Sequence, residues 1–276
     1  MQRGAVQVDD AEIAWSSVGD GPPVVLIMGL GGWSGDWGTY FPSLLAKTHR
    51  VILLDNRGTG TSSRPPGPYT LEQLAHDVVA VIDELAGGRA HVLGISMGGM
   101  IAQHLALDHP RVVEKLVLVS THCGGSRALL PMPHILPALF HAPDTPPAVA
   151  VRARLAAIAA PGWAEKNPEL LDERLNHAMR APTPVRTFRA QLDAIMRADR
   201  YARLDEIDAD TLVIHGDADA LVPYANGQLL ARRIHGAELY TLKGVGHLPM
   251  WEAPDETARV ITAFLGRTMA SVEMSR

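Results

Sequence analysis

Gly94-Ile95-Ser96-Met97-Gly98 fits the pattern G-x-S-x-G, and it falls where an apolar run of β character, Ala90 to Ile95, meets a helix-compatible run, Met97 to Leu107. A strand that passes straight into a helix strains its corner residue, so the residues two before and two after must be small. Gly94 and Gly98 meet that need, and Gly99 lets the helix sit close to its neighbours. By itself the pentapeptide also describes an inert Gly/Ser-rich turn; its strand-to-helix setting is what makes the Ser96 hydroxyl a candidate nucleophile. A serine hydroxyl is a weak nucleophile at neutral pH and needs a base within hydrogen-bond reach, itself held by a carboxylate. Two later stretches offer both: His215-Gly216-Asp217-Ala218-Asp219 and Gly244-Val245-Gly246-His247. The residues alone leave Asp217 and Asp219 both open. The backbone N–H of Met97, next to the nucleophile, is a ready donor for charge that develops on a carbonyl oxygen.

Such groups need a scaffold that brings distant loops to one edge. Alternation in Ala5 to Val8 and Glu12 to Ser17, around Asp9-Asp10, reads as a β-hairpin. Val24 to Met28, Arg50 to Leu54, Ala90 to Ile95, Lys115 to Ser120, Thr211 to Gly216 and Ala237 to Leu242 read as further strands, apolar enough to be buried on both faces. Helices fall between them. The best marked starts at the T-x-x-Q capping box Thr70 to Gln73, carries Leu71, Leu74, Val78, Val81, Ile82 and Leu85 on one face, and stops at Gly87-Gly88. This alternation predicts an α/β fold with a mostly parallel, doubly wound sheet, whose ligands bind beyond the carboxyl ends of the strands. Between Gly124 and Asp208 the rhythm changes to Ala, Pro and Leu with no β-like run. We therefore expect a core of residues 1–123 and 209–276, and a helical cap, 124–208, inserted after the sixth strand and lying over Ser96.

Composition narrows the function. A chain of 276 residues with 47% hydrophobic and 20% charged content is ordinary for a globular protein. A formal charge of -5 offers no basic surplus for nucleic acid. The single cysteine, Cys123, excludes an internal disulfide and a thiolate metal site, and the 12 histidines show no metal-ligand spacing, so no metal is expected. The first residues lack the apolar core of a signal peptide and no apolar run reaches about 18 residues, so the expectation is a soluble, cytoplasmic protein without a membrane partner. A homo-oligomer is left open.

Five motifs together make a resemblance specific. They are L-I-M-G-L-G-G from Leu26, D-N-R-G-T-G-T-S from Asp55, G-I-S-M-G-G from Gly94, H-G-D-A-D-A-L-V-P from His215 and G-V-G-H from Gly244. In this order they resemble the α/β-hydrolase superfamily, in particular small bacterial esterases and enol-lactonases, over the whole chain except the insertion. The resemblance implies Ser96 as nucleophile and His247 as general base and later acid. Its pattern G-x-x-D, read from Gly216, makes Asp219 the carboxylate that orients His247 and leaves Asp217 as a turn residue. It also puts a second oxyanion donor at the Leu30 N–H, beside that of Met97. Related enzymes usually have His-Gly where this chain has Met28-Gly29. A backbone donor does not depend on that side chain, but the buttressing of the loop is left open. Asp55, Arg57, His91, His104 and His215 are read as structural.

The branches with an aspartate nucleophile, dehalogenases and epoxide hydrolases, do not match Ser96, and the insertion holds only Tyr201 where the epoxide branch needs two tyrosines. The resemblance thus implies hydrolysis of a small-molecule carboxylic ester or lactone through an acyl-enzyme, with no cofactor. Pocket candidates are Trp33, Trp37, Met97, His122, Leu129, Met132, Leu136 and Phe140, which suit a small-to-medium hydrophobic group. Each could equally be core. Tyr201 and Arg203 are weaker candidates for contacting a polar substrate group. C–C bond hydrolysis of a diketone uses the same three residues and is the alternative; perhydrolase side activity and thioester hydrolysis share them too. From a different class, the fold also serves as a ligand receptor without turnover.

Overall fold

The computed structural model describes residues 1–139 and 144–267. Its strands are β1 (Gln2–Val8), β2 (Ala11–Val18), β3 (Pro23–Ile27), β4 (Arg50–Leu54), β5 (Ala90–Ile95), β6 (Val113–Val119), β7 (Thr211–Gly216) and β8 (Glu238–Leu242). They form one sheet in the order β1-β2-β4-β3-β5-β6-β7-β8. The pairs β1–β2 and β2–β4 are antiparallel, and every later pair is parallel. Ile27, Gly94, Leu118, Val213 and Leu239 lie in one row across β3, β5, β6, β7 and β8, so the carboxyl ends of these strands share one edge.

Helices α1 (Tyr40–Leu45), α2 (Leu71–Ala86) and α3 (Met97–Asp108) precede β6. Between β6 and β7 come α4 (Leu136–Leu139), α5 (Pro147–Ile158), α6 (Trp163–Lys166), α7 (Pro168–Arg180) and α8 (Val185–Arg197), and no strand among the described residues. Then follow α9 (Ala225–Arg233), α10 (Pro249–Glu252) and α11 (Pro254–Leu265).

Strand alternation divides the core in two. Val25, Ile27, Val92, Leu118 and Val213 face α2, α3 and α9, whereas Val24, Leu26, Leu93, Val117 and Ile214 face α1 and α11. The sequence features of α2 act as expected. Thr70 Oγ1 accepts from the Gln73 N–H at 3.1 Å, and Gly87 ends the helix in the left-handed conformation at φ 65°. Its Leu71, Leu74, Val78, Val81 and Ile82 are all buried, and such side chains stabilise by about 1.5–3 kcal/mol each.

The helical segment between β6 and β7 is joined at its base. The Gly125 N–H donates to Ala198 O at 2.8 Å and the Arg200 N–H to Cys123 O at 2.9 Å, so the chain leaves and returns at one place. Leu155 and Ile158 of α5 and Leu171 of α7 join the second core cluster, together with Met28, Trp37, Leu248 and Trp251. The segment is thereby packed against the loops at the carboxyl edge of the sheet.

Candidate active site

Ser96 occupies the corner between β5 and α3 at φ 56° and ψ -122°, a backbone conformation costly for any side chain. The surroundings hold it there. Its N–H donates to Val119 O at 3.0 Å, and its carbonyl accepts from Gly99 N–H at 2.9 Å and Thr121 Oγ1 at 2.6 Å. A Cβ on Gly94 would fall 2.2 Å from Gly98 O, one on Gly98 would fall 2.0 Å from Ile27 O, and one on Gly99 would fall 2.6 Å from Thr121. The corner therefore admits only glycine at all three positions. Ser96 itself is half-buried between buried neighbours.

Two strands further along, the turn after β7 carries Asp219, and the loop after β8 carries His247. Both are buried. The His247 Nδ1–H donates to Asp219 Oδ2 at 2.9 Å. Asp219 Oδ1 accepts from the N–H groups of Leu221 and Val222 at 2.9 and 2.8 Å. Burial alone would push the Asp219 pKa up, but the His247 charge and the hydrogen bonds of His215 and His247 outweigh it and hold the value at about 2. The carboxylate is ionised at neutral pH, and with Nδ1 engaged, Nε2 is the free nitrogen of His247. The His247 N–H donates to Ile158 O of α5 at 2.8 Å. Asp217 does a different job: its Oδ1 accepts from Gly244 N–H at 2.7 Å and its Oδ2 pairs with Lys243 at 3.2 Å, which ties the two turns together.

The loop after β3 reaches the serine from the other side. A Cβ on Gly29 would lie 3.0 Å from Ser96 Cβ and 3.5 Å from its Oγ. The Leu30 amide thus belongs to a segment that touches Ser96. Met97 is the first residue of α3, where N–H groups have no carbonyl within the helix to bond.

The remaining expected site residues divide. His122, after β6, is half-buried, and its Nδ1 accepts from Gly124 N–H at 3.0 Å. Burial, with His247 and His215 nearby, lowers its pKa to about 4, so at pH 7 it is neutral and carries its proton on Nε2. Trp33 is half-buried, and its Nε1–H donates to His177 O of α7 at 3.1 Å. Trp37 is a core side chain, 1% exposed and stacked on Phe41 at 5.8 Å, rather than an open pocket wall. Leu129, Met132 and Leu136 are exposed; the Leu129 N–H meets Asn226 Oδ1 of α9, and the Met132 N–H meets Ala220 O, next to Asp219. Phe140 lies outside the described residues. Arg203 pairs with Asp108 and Glu206, and the Tyr201 ring sits between Arg127 and Arg233. A shallow depression of about 1010 Å³ lined by Pro22, His49, His91 and Lys115 opens at the amino edge of the sheet, remote from this chemistry.

Sequence reasoning assigned no role to several groups that hold the site. Thr121 bonds the Ser96 carbonyl, and Gln191 and Thr183 bond the Gly31 peptide. Glu252 accepts from Gly246, Ala160 and Leu248 N–H groups around His247. Nothing local marks them.

A mostly parallel sheet with a serine at a strained strand-to-helix corner, and a His–Asp pair on later strand ends, defines an α/β hydrolase. The chain belongs to the family described as alpha/beta hydrolase fold, whose model matches residues 22–254, and it is a hydrolase acting on a small molecule. A putative carbamate hydrolase, RutD, from Caulobacter segnis is 36% identical over 233 residues, covering 81% of this chain and 84% of the relative. The 2-hydroxy-6-oxononadienedioate/2-hydroxy-6-oxononatrienedioate hydrolase 1 of Pseudomonas putida is 30% identical over 263 residues, covering 93% and 92%. Among solved structures, the enol-lactonase from Burkholderia xenovorans LB400 superposes with a TM-score of 0.81 at 27% identity, over 96% of this chain and 100% of the other. No helix among the described residues is long and apolar enough to cross a membrane.

Proposed function

We propose that the chain is a serine hydrolase that cleaves a carboxylic ester or lactone of a small-to-medium hydrophobic substrate through an acyl-enzyme. Ser96 Oγ attacks the carbonyl carbon while His247 Nε2 takes its proton, and Asp219 stabilises the imidazolium that results. The oxygen that becomes negative is received by the N–H groups of Leu30 and Met97. Collapse of the tetrahedral species releases the alcohol, protonated by His247. Water then attacks the acyl-enzyme with His247 as base and restores Ser96. With a lactone the alcohol stays tethered, so one hydroxy acid leaves. Residues 124–208 act as a cap whose helices limit the size of the group that can reach Ser96.

The observation that carries this reading is the His247–Asp219 hydrogen bond at 2.9 Å, with the carboxylate's other oxygen held by two N–H groups. The likeness to an enol-lactonase supports the lactone arm. C–C bond hydrolysis of a vinylogous diketone is the second reading, favoured by the relative from Pseudomonas putida. The test is a turnover screen over chromogenic esters, lactones, carbamates and diketones, with Ser96→Ala as control. Fluorophosphonate labelling of Ser96 runs alongside. Ester or lactone turnover with a burst of acyl-enzyme is expected. Turnover of diketones alone would favour the second reading, and a Ser96 that resists labelling would remove the serine mechanism altogether.

A further inference from the structure

We propose that Gln191 and Thr183, both from the helical segment between β6 and β7, are positioning residues that fix the Gly29–Gly32 loop and aim its Leu30 N–H. This rests on Leu30 serving as an oxyanion donor in the reading above. The Gly31 peptide is held at both ends from a distance in sequence. Its N–H donates to Gln191 Oε1 at 2.9 Å, and its carbonyl accepts from Thr183 Oγ1–H at 2.7 Å. Gln191 is fully buried, and its Nε2–H reaches Arg57 O at 3.5 Å, which settles the orientation of its amide. Phe188, one turn earlier on α8, closes over the same residue: a Cβ on Gly31 would lie 2.9 Å from its Cδ2.

The loop needs such an external hold. It contains glycines at 29, 31 and 32, with Gly31 at φ 67°, and glycine-rich backbone samples many conformations of similar energy. Its own bond, Gly32 N–H to Gly29 O at 3.1 Å, closes a single turn, and Met28 offers no polar side chain to steady it. The Leu30 N–H lies in the Gly29–Leu30 peptide unit, which meets the Leu30–Gly31 unit at the Leu30 Cα, so fixing the Gly31 N–H and carbonyl restricts the rotations left to the unit that carries the donor. A donor contributes to transition-state stabilisation only if it is fixed before the charge appears. The side chains that fix it come from a different part of the chain, so the insertion is part of the catalytic geometry as well as a cover.

The test compares side chains of matched shape. Thr183→Val removes the hydroxyl donor, and Thr183→Ser keeps it; Gln191→Met removes the acceptor. Each is measured for kcat and KM on an ester that the wild type turns over, for inhibition by a trifluoromethyl ketone analogue of that ester, and for thermal midpoint. Expected for Thr183→Val and Gln191→Met is a roughly 10- to 100-fold fall in kcat, below the 10²–10³ typical of deleting a donor outright. KM should hold within about threefold, and affinity for the ketone should fall in proportion to kcat/KM, as preorganised stabilisation of the oxyanion requires. Thr183→Ser should recover most of the loss. A lowered thermal midpoint with unchanged kcat, a change in KM alone, or a Ser variant as impaired as the Val variant each overturns the proposal. If Gln191→Met does not fold, the half-buried Thr183 pair decides. Wild-type turnover that survives Ser96→Ala would instead defeat the serine-hydrolase reading, which separates the two failures.

Discussion

His215 Nε2 lies 3.4 Å from Asp219 Oδ2, the same oxygen that takes the His247 Nδ1 proton at 2.9 Å. His215 is fully buried, and its Nε2 is also 2.7 Å from Val222 O. A carbonyl oxygen only accepts, so the His215 proton sits on Nε2 and is shared between the turn and the carboxylate. Its Nδ1 has no partner among the described residues and rests against Gly227, where a Cβ would fall 2.6 Å away. A histidine read from sequence as merely structural therefore braces the proposed acid from behind. His215→Leu should lower kcat roughly 10- to 100-fold by letting the carboxylate rotate, the loss expected for a misplacement of about 1 Å. His215→Gln, which keeps a donor, should recover part of it. Equal losses in the two variants would point to packing rather than to this hydrogen bond.

The two aspartates of the turn after β7 should behave very differently. Asp219→Asn leaves the shape of the site but removes the charge that stabilises the His247 imidazolium, and kcat should drop by about 10⁴. Ser96→Ala and His247→Ala should reduce turnover to background. Asp217→Asn keeps an oxygen for the Gly244 N–H and loses only an exposed pairing with Lys243, so activity should stay within about threefold. Should Asp217→Asn be the more damaging change in steady-state kinetics, the proposed triad has the wrong acid.

What the sequence revealed followed from how local each signal was. The strand of Ala90 to Ile95, the corner at Ser96 and the cap at Thr70 depend on neighbours within a few residues, and each appears where the residue pattern put it. The brace on Gly31 joins residues 160 positions apart through one amide on an amphipathic helix, and no spacing rule encodes such a contact. Apolar character was ambiguous in a second way. Trp37 and Leu129 are both large and hydrophobic, yet one is 1% and the other 48% exposed, because burial is decided by what packs on them. Phe41 and the second core cluster cover the first, and no such layer among the described residues covers the second.

The corner glycines should be intolerant of a single methyl group. Gly98→Ala would drive a Cβ to 2.0 Å from Ile27 O, a backbone atom in the middle of the sheet that cannot turn aside. The variant should fail to accumulate as folded protein or unfold far below the wild type in a thermal melt. Gly87→Ala is the control. It replaces a glycine at positive φ, 65°, which Gly98 is not, and among the described residues nothing lies within 4 Å of the new Cβ. It should cost only about 1–2 kcal/mol, the left-handed backbone term.

Arg57 and Asp77 form a buried two-point ion pair, with Nε to Oδ2 at 2.7 Å and Nη2 to Oδ1 at 2.6 Å. Burial pushes the Asp77 pKa up, and Arg57 opposes that without cancelling it. Removing Asp77 replaces this two-point pair by the single contact that Arg57 Nη1 makes with the exposed Asp10, to Oδ1 at 3.2 Å. Asp77→Ala should therefore destabilise by about 3–5 kcal/mol in urea unfolding. Activity per folded molecule should fall less, since the Arg57 carbonyl, not its guanidinium, receives Gln191.

Stability should decline on mild acidification, and the source can be traced to particular rings. His91, in β5, is buried edge-on to His49 with centroids 5.8 Å apart, and its Nδ1 has no hydrogen-bond partner among the described residues. Burial first, then His49, Lys115 and Arg89, lower its pKa from 6.5 to about 4. His122 is lowered to about 4 as well. Between these values the unfolded chain binds protons that the folded chain refuses, so this contribution is complete above about pH 6.5 and is lost as the pH falls towards 4. Asp219 acts in the same direction further down: its depressed value makes a contribution that is present above about 3.8 and is lost as the pH falls towards 2. Urea midpoints taken from pH 7.5 to 4.5 should fall steadily once the pH drops below about 7. His91→Gln cannot take up a proton and lies at the opposite edge of the sheet from Ser96. It should flatten that slope by about the share of one histidine while leaving turnover unchanged, and an unaltered slope would show that His91 is not the group being charged.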